Sequence, residues 1–599
     1  MSIALAGVVT SCDMDAPTQS TLDESSVFSQ YSLAESEIMS IHVSFCQTNS
    51  YRGRFLPYYG LNSDLETGSG TQPSYSKAMS YDDKNSLWAY KTLATNGQMN
   101  TDNNAYAMFY EGIERANLAI QGIRKYGNIE NNRDMAQLLG EALTLRALIY
   151  NDLIKAWGDV PARLQPNNAY NVYMPRCNRD SIYKVLLADL KEAEDYCYWP
   201  NENVITKSTE RVSKSFVKGL RIALYAGGYG LRGDGYRKSK DPELASDKMY
   251  AIAKQECTDI INKHCNTLGS FEENFKKLCQ DNVAAGGESL WEIPFAPGRG
   301  RVVYTFGIKH QAADQYTSQN QGGANGPLPY LYYDYDKDDI RRDITCIPYE
   351  WSKELVDGKS YQQLRGINKW CFGKLRYEWM KSERALSLGK NDDGVNWQYM
   401  RLADVYLMAA EAINALDNDQ QTAWNYMKPV LDRALPAAKV EALKAKYTAN
   451  QEAFFNGIVE QRAFEFAGEM LRKADLVRWG IIDEKMAEAK QKLTDLSNRA
   501  GSYADLPLKL YFKNEGENIV VYGLNHGDTD EEGAALEGYN SKQWFVDSKT
   551  NANLLTEDYI NGLYVGTPSL NCLWPIWQTF IEKSNGLLNN EGNYGQLSD

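Results

Sequence analysis

The feature that most constrains this chain is a run of apolar residues at helical spacing in residues 133–157. Met135, Leu138, Leu139, Ala142, Leu145, Ile149 and Leu153 recur three or four positions apart, which puts them on one face of an α-helix. The run stops at Gly158-Asp159-Val160-Pro161, where glycine frees the backbone and proline forbids further helix. Residues 104–126 carry the same period, so the two segments predict an antiparallel pair. Residues 180–196 with 213–231 predict a second pair, and 247–265 begins a third. A second helical block is predicted over 397–416, 420–434, 451–468 and 470–480. A helix that buries one stripe needs a partner. Pairs joined by short loops resemble tetratricopeptide stacking, although the strict ~34-residue signature is absent.

Between the blocks, residues 271–396 are rich in Gly, Pro and Tyr, with short strand-like pieces such as Ser289-Leu290-Trp291-Glu292-Ile293-Pro294-Phe295. A second irregular stretch covers about 498–568. Long loops on a helical scaffold usually carry function. The expected fold class is therefore mainly α: a tetratricopeptide-like helix-pair scaffold, or alpha-alpha superhelix, with long irregular insertions carrying short strands. The scaffold helices fall mainly in 104–265 and 397–480. The irregular ligand and partner face falls in 51–100, 271–396 and 498–568. With 599 residues the chain can bury a large core, and residues 21–599 read as one repeat-built unit.

Charge excludes one function class. Acidic residues number 78 and basic ones 64, a net charge of −14, so no basic surplus exists to neutralise a nucleic-acid backbone. The ten cysteines form no C-x-x-C pair and the four histidines are scattered with no H-E-x-x-H. No transition-metal site and no cofactor are expected. The 40 Tyr and 13 Trp against 17 Phe favour rings with a polar handle, suited to places where a ring meets both carbon and water.

Cys12 stands apart from the other cysteines. It follows Ile3-Ala4-Leu5-Ala6-Gly7-Val8-Val9-Thr10-Ser11, a short apolar run ending in small residues. That is the shape of a bacterial lipoprotein signal, although no Lys or Arg lies between Met1 and Cys12. Cleavage before Cys12 would leave it acylated, and several acyl chains anchor a protein durably. Residues 1–20 are thus read as signal and tether, with 13–20 the polar tether. No other segment approaches the roughly 20 apolar residues of a membrane helix.

Four segments carry a family resemblance. The first is Glu141-Ala142-Leu143-Thr144-Leu145-Arg146-Ala147, continuing to Trp157-Gly158-Asp159-Val160-Pro161. The second is Arg401-Leu402-Ala403-Asp404-Val405-Tyr406-Leu407-Met408-Ala409-Ala410-Glu411-Ala412. The third runs from Glu460-Gln461-Arg462-Ala463-Phe464-Glu465 through Glu469, Arg472, Asp475, Arg478, Trp479 and Gly480. The fourth joins Leu573-Trp574-Pro575-Ile576-Trp577 to Asn589-Asn590-Glu591-Gly592-Asn593-Tyr594. In this order, over nearly the whole chain, they resemble the SusD-like (RagB-like) family of outer-membrane nutrient-binding lipoproteins. The resemblance implies a helical scaffold with an irregular glycan-binding face. It implies a lipid-anchored protein on the cell-surface side of the outer membrane, capping a SusC-type TonB-dependent transporter and passing oligosaccharide into it. It implies no catalytic activity. Two other readings compete: a helical glycoside hydrolase, and a lid or scaffold that binds no glycan.

The third motif invites the hydrolase reading, because Glu465, Glu469 and Asp475 could pair across a glycosidic bond. Their spacing also has a local explanation: Arg462–Glu465, Glu469–Arg472, Arg472–Asp475 and Asp475–Arg478 are all three apart on helical sequence. Glu141 and Arg146 are expected to tie helices together. Asp334-x-Asp336-x-Asp338 resembles a calcium loop but has Asp339 and Thr345 where Gly and Glu belong. It reads as a solvated acidic turn, and a structural calcium stays open but unplaced. The glycine-rich residues 227–233 read as a helix end and turn rather than a phosphate loop.

A sugar offers an apolar C–H face and a rim of hydroxyls, so it needs a ring to stack on and amide, carboxylate or guanidinium partners. Two irregular stretches supply both. One holds Asp64, Tyr75, Tyr81, Trp88 and Asn96; Asp64, Trp88 and Asn96 stand, by region only, where the family's starch-binding member places an acid, a Trp and an Asn. The other holds Tyr304, Tyr316, Gln319 and Tyr330, with Asn320, Asn325, Tyr332 and Tyr333 nearby. Trp291 and Trp479 are assigned to the core and scaffold.

Overall fold

The computed structural model describes residues 23–67, 73–80, 84–232, 235–381, 386, 391–547 and 549–590. Cys12 and Tyr81 therefore lie outside the described residues, as do residues 591–594 of the fourth motif.

The architecture is mainly α-helical, built from packed helix pairs. The first block holds α1 (Tyr31–His42), α2 (Ala105–Tyr126), α3 (Arg133–Trp157) and α4 (Arg179–Tyr196). α3 packs between α2 and α4. Asn104 caps α2 by accepting the Ala107 N–H, and Asn132 caps α3 through Met135. α3 ends at Gly158 with φ +74°. A Cβ there would sit 2.9 Å from Leu573, so both conformation and space demand glycine.

The second block holds α5 (Ser246–Lys263), α6 (Phe271–Cys279), α7 (Leu402–Asp417), α8 (Gln420–Asp432), α9 (Ala437–Tyr447), α10 (Gln451–Phe466), α11 (Arg472–Trp479) and α12 (Ile482–Asn498). α7 is central and packs on α5, α8 and α10. The strands used below are β1 (Tyr229–Arg232), β2 (Gly235–Lys238), β3 (Ser289–Ile293), β4 (Tyr349–Val356), β5 (Lys359–Leu364), β6 (Trp397–Arg401), β7 (Lys509–Glu515), β8 (Asn518–Tyr522) and β9 (Asn540–Gln543). They form small antiparallel sheets: β1 with β2, β3 with β6, β4 with β5, and β7 between β8 and β9.

The structure departs from the sequence reading in several places, among them α6 (Phe271–Cys279), a helix at the start of the stretch expected to be irregular, and α1, which lies before the first expected helix. Residues 213–231 are not one helix: Lys214–Gly219 and Ile222–Gly227 are separated by an extended Leu220, and β1 follows. Residues 397–401 are β6, every residue buried, and not the start of a helix; a short apolar run buried on both faces has no period to separate strand from helix. α9 and α12 were not anticipated.

One apolar cluster runs from Phe28 to Trp577. Its aromatic centre joins the first and fourth motifs. Trp157 meets Trp574 and Trp577 at 5.6 and 6.5 Å between ring centroids, and its indole N–H donates to Pro575 O at 3.1 Å. Trp291 is fully buried and stacks on Phe216 at 4.9 Å.

The motif charges form a buried network. Glu465 accepts from Arg341, Arg401 and Arg433. Glu469 accepts from Arg401 and Lys374. Asp404 is bound by Arg221 and Arg462, and Asp475 by Arg462 and Arg478. Of the four local pairs expected, Asp475–Arg478 forms; Arg462, Glu465, Glu469 and Arg472 reach distant partners instead. The helix breaks between α10 and α11, where Gly468 and Met470 take positive φ, so Glu469 shares no helix face with Arg472. Arg146 ties α3 to α4 through Asp189 at 2.7 Å, and Glu141 holds Arg211.

Candidate functional site

The structure separates the sequence-selected residues into buried and presented groups. Asp64 is buried and accepts from Arg472 Nε and Nη2 at 2.8 and 2.7 Å. Trp88 is 1% exposed, with its ring 5.9 Å from Tyr58. Asn96 is fully buried and donates to Ser86 Oγ at 2.9 Å. Tyr330 is 2% exposed, with Lys492 Nζ 5.3 Å from its ring centroid. All four side chains are thus buried and held by neighbours of the chain itself. Asp64 and Tyr330 do line one cavity of about 650 Å³, between α10, α11 and α12. Its carboxylates are engaged with its own cations: Asp64 with Arg472, Asp334 and Glu488 with Lys492, and Glu460 with Lys446.

Tyr75 is 46% exposed on the short helix Tyr75–Ala78. Tyr304 is half-buried, its backbone N–H donating to Asp393 at 3.1 Å. Tyr316 and Gln319 share the loop between His310 and Gln321, and both are partly exposed. The eight of these residues that are described therefore do not form one site.

The loop around Tyr316 is the best-built presented surface. His310 and Gln321 close it with reciprocal backbone hydrogen bonds at 2.8 and 3.1 Å. Asp314 Oδ1 accepts the N–H groups of Tyr316 and Thr317 at 2.7 and 2.9 Å, while Oδ2 meets His310 Nδ1 at 2.7 Å. The Tyr316 ring lies edge-on against Trp351 at 4.9 Å. Trp351 is itself fixed by stacking on His310 at 5.7 Å and by donating to Glu378 at 2.6 Å. The ring is thus held by Trp351 and by His310, at 6.2 Å between centroids, and stays partly exposed.

Polar groups converge beside it. Glu517, in the β7–β8 turn, accepts from Gln315 Nε2 at 3.0 Å and from the Tyr316 hydroxyl at 3.3 Å, and pairs with Lys359 at 2.7 Å. The Lys359 ammonium holds the Glu517 carboxyl below its usual range. Burial, with Glu517 adding, pushes the Tyr316 phenol up to about 12. Burial opposes protonation of His310, but Asp314 and Glu378 outweigh it and raise its pKa above the usual value. Such a surface can stack a sugar ring and satisfy its hydroxyls with amide, carboxylate and ammonium groups. Sequence reasoning missed Gln315, Trp351, Lys359 and Glu517. No sequence signal joins Tyr316 to a carboxylate 201 positions away.

The hydrolase candidates are placed differently. Glu465 is fully buried under three guanidinium groups, and Arg433, Arg401 and Arg341 hold it well below the usual carboxylate range despite burial. It can neither reach a glycosidic oxygen nor carry a proton near neutrality. In the acidic run, Asp334 accepts from Lys492 and Asp336 from Lys439. Among the described residues no group of three or more His, Cys, Asp or Glu side chains is placed to hold a metal ion. No helix among them is long and apolar enough to cross a membrane.

Comparison with known proteins places this fold. The family model described as the SusD family matches residues 287–593, and one described as starch-binding associating with outer membrane matches residues 54–216. A SusD-like protein, P25, of Formosa agariphila is 22% identical over 444 residues, covering 67% of this chain and 75% of its own. Among solved structures, a SusD homolog from Bacteroides thetaiotaomicron superposes with a TM-score of 0.70 at 17% identity, covering 95% of this chain and 98% of that one. A structure described as a complex with xylogluco-oligosaccharide superposes with a TM-score of 0.60 at 15% identity, covering 94% and 99%.

Proposed function

This chain belongs to the SusD family, and from that premise we propose that it is a cell-surface glycan-binding lipoprotein. It captures oligosaccharide and delivers it to a SusC-type TonB-dependent transporter in the outer membrane, and acyl chains on Cys12 anchor it there. Two findings support the glycan role: the starch-binding description of the model matching residues 54–216, and the oligosaccharide held by a chain of the same fold. The observation on this chain that carries the reading is the Tyr316 surface. A partly exposed ring braced by Trp351 stands beside Gln315 and Glu517, with Gln319 on the same loop.

One ring and a few polar partners give a weak site, with Kd in the micromolar-to-millimolar range. Retention would come from the transporter interface, whose partner is inferred from family membership. The reading needs no cofactor, and no catalysis is assigned: the carboxylates of the third motif are committed to arginines and lysine.

Purified protein run through gels containing a panel of polysaccharides should be retarded by at least one of them and should release no new reducing ends. Reducing ends that depend on folded protein would establish the hydrolase instead. Binding to no member of a broad panel, together with co-purification of a transporter, would establish a lid.

A further inference from the structure

A cavity of about 530 Å³ lies between the end of α3, the start of α4, the β1–β2 hairpin and α11. Seven basic side chains line it against two acidic ones, on a chain whose net charge is −14. Several of these charges are already matched. Arg478 is held by Glu411 and Asp475, and Lys155 lies 2.6 Å from Asp152.

Arg179 is different. It is 5% exposed, and Nε donates to Asp159 at 2.8 Å, while Nη2 is buried with no hydrogen-bond partner. Tyr225, 7% exposed, also lines the cavity, and its hydroxyl is likewise buried without a partner. Leaving such donors unmade costs about 1–3 kcal/mol each, so an acceptor from outside the chain is the natural complement. The backbone makes room for the guanidinium at the cavity wall. At Gly158 a Cβ would come within 2.7 Å of Arg179 Nη2, and at Gly230 within 3.2 Å of Nη1.

The cavity mouth carries a ring. Tyr229 is 37% exposed, packs edge-on to Tyr236 at 5.9 Å, and has Lys238 Nζ 5.0 Å from its centroid. Tyr229 immediately precedes Gly230, so the ring and the guanidinium edge belong to one wall. A planar guanidinium fork fits carboxylate or sulfate oxygens. A ring beside it fits the C–H face of a sugar. The volume falls within the roughly 300–1,000 Å³ of small-molecule sites.

We propose that this cavity binds an acidic sugar unit, with its carboxylate or sulfate on Arg179 and Tyr225 and its ring against Tyr229. The proposal rests on the glycan-binding reading and narrows its ligand class for this second position.

The test is calorimetric titration of the full chain with three probes: a glucuronate-terminated oligosaccharide, its glucose-terminated counterpart and inorganic sulfate. The glucuronate probe should bind at least tenfold more tightly than the other two. Tyr225→Phe, which removes one oxygen and keeps the ring, should weaken it about tenfold. Arg179→Gln should abolish that preference. Equal binding of sulfate and glucuronate, or a glucuronate preference that survives Arg179→Gln and Tyr225→Phe, would overturn the proposal. If neutral glycans are still bound at the Tyr316 surface while glucuronate is not preferred, the acidic-sugar site fails and the glycan-binding reading stands.

Discussion

Arg472 donates through Nε and Nη2 to the two carboxylate oxygens of Asp64, at 2.8 and 2.7 Å, and both side chains are buried. The pair fastens the stretch before α2 to α11, 408 positions away in sequence. Removing one partner leaves an uncompensated buried charge, which costs about 3–5 kcal/mol. Asp64→Ala should therefore lower the unfolding free energy by that much, read as a lower urea midpoint, without changing glycan affinity of the protein that remains folded. An unchanged midpoint with lost binding would return Asp64 to the ligand site.

Acid should unlock the scaffold late. Burial alone would raise the Asp404 pKa, but Arg221 and Arg462 outweigh it and hold it down to about 2. A depressed carboxylate contributes stability that is full above its unfolded value near 4 and is lost as pH falls through its folded value. Asp404 should thus supply about 2 kcal/mol above pH ~4 that disappears between about pH 4 and 2. Urea midpoints measured across that window should drop steeply, and in Asp404→Asn the slope should be shallower. Equal slopes would contradict the pairing.

The scaffold was legible in the sequence where periodicity ran long and caps were local. α3 was read to the residue, because a continuous apolar stripe ends in Gly158 and Pro161. α9 buries only Val440 and Tyr447 and so shows little apolar stripe, whereas α12 carries a regular one, Ile482, Met486, Ala489, Leu493 and Leu496, that was legible and is absent from the expected elements. β6 could not be told from helix. Charge pairing was legible as a set of residues but not as partners, since Arg462 and Glu465 look past each other to Asp404 and Arg401. The site was legible as a loop and hardly further. Tyr316 stands out as a tyrosine in a Gly- and Asn-rich run. Its support comes from Trp351 and Glu517, which only folding brings near. Trp88 and Asn96 show the converse: a ring beside amides in an irregular stretch satisfies the composition of a sugar site and here builds core.

The Tyr316 loop should be sensitive to alkali. Asp314 and Glu378 outweigh burial and raise His310 above its usual value near 6.5. A raised histidine contributes stability that is full below the unfolded value and is lost as pH rises through the folded one. Neutral His310 would weaken the bracing of Asp314, which holds the Tyr316 backbone N–H. Glycan affinity measured from about pH 6 to 9 should fall as a single titrating group. His310→Gln should give a flat profile; a profile unchanged by that substitution would assign the titration elsewhere.

The most direct test of the account is glycan affinity of Tyr316→Ala, measured by gel retardation and calorimetry against the polysaccharide that the unaltered protein binds best. Tyr316 is only partly buried, so the variant should fold with little change in melting temperature. Losing a stacking ring should weaken binding tenfold or more, on the order of 1.5 kcal/mol or greater. Retardation equal to that of the unaltered protein, from a variant shown to be folded, would contradict the assignment of this surface as the glycan platform.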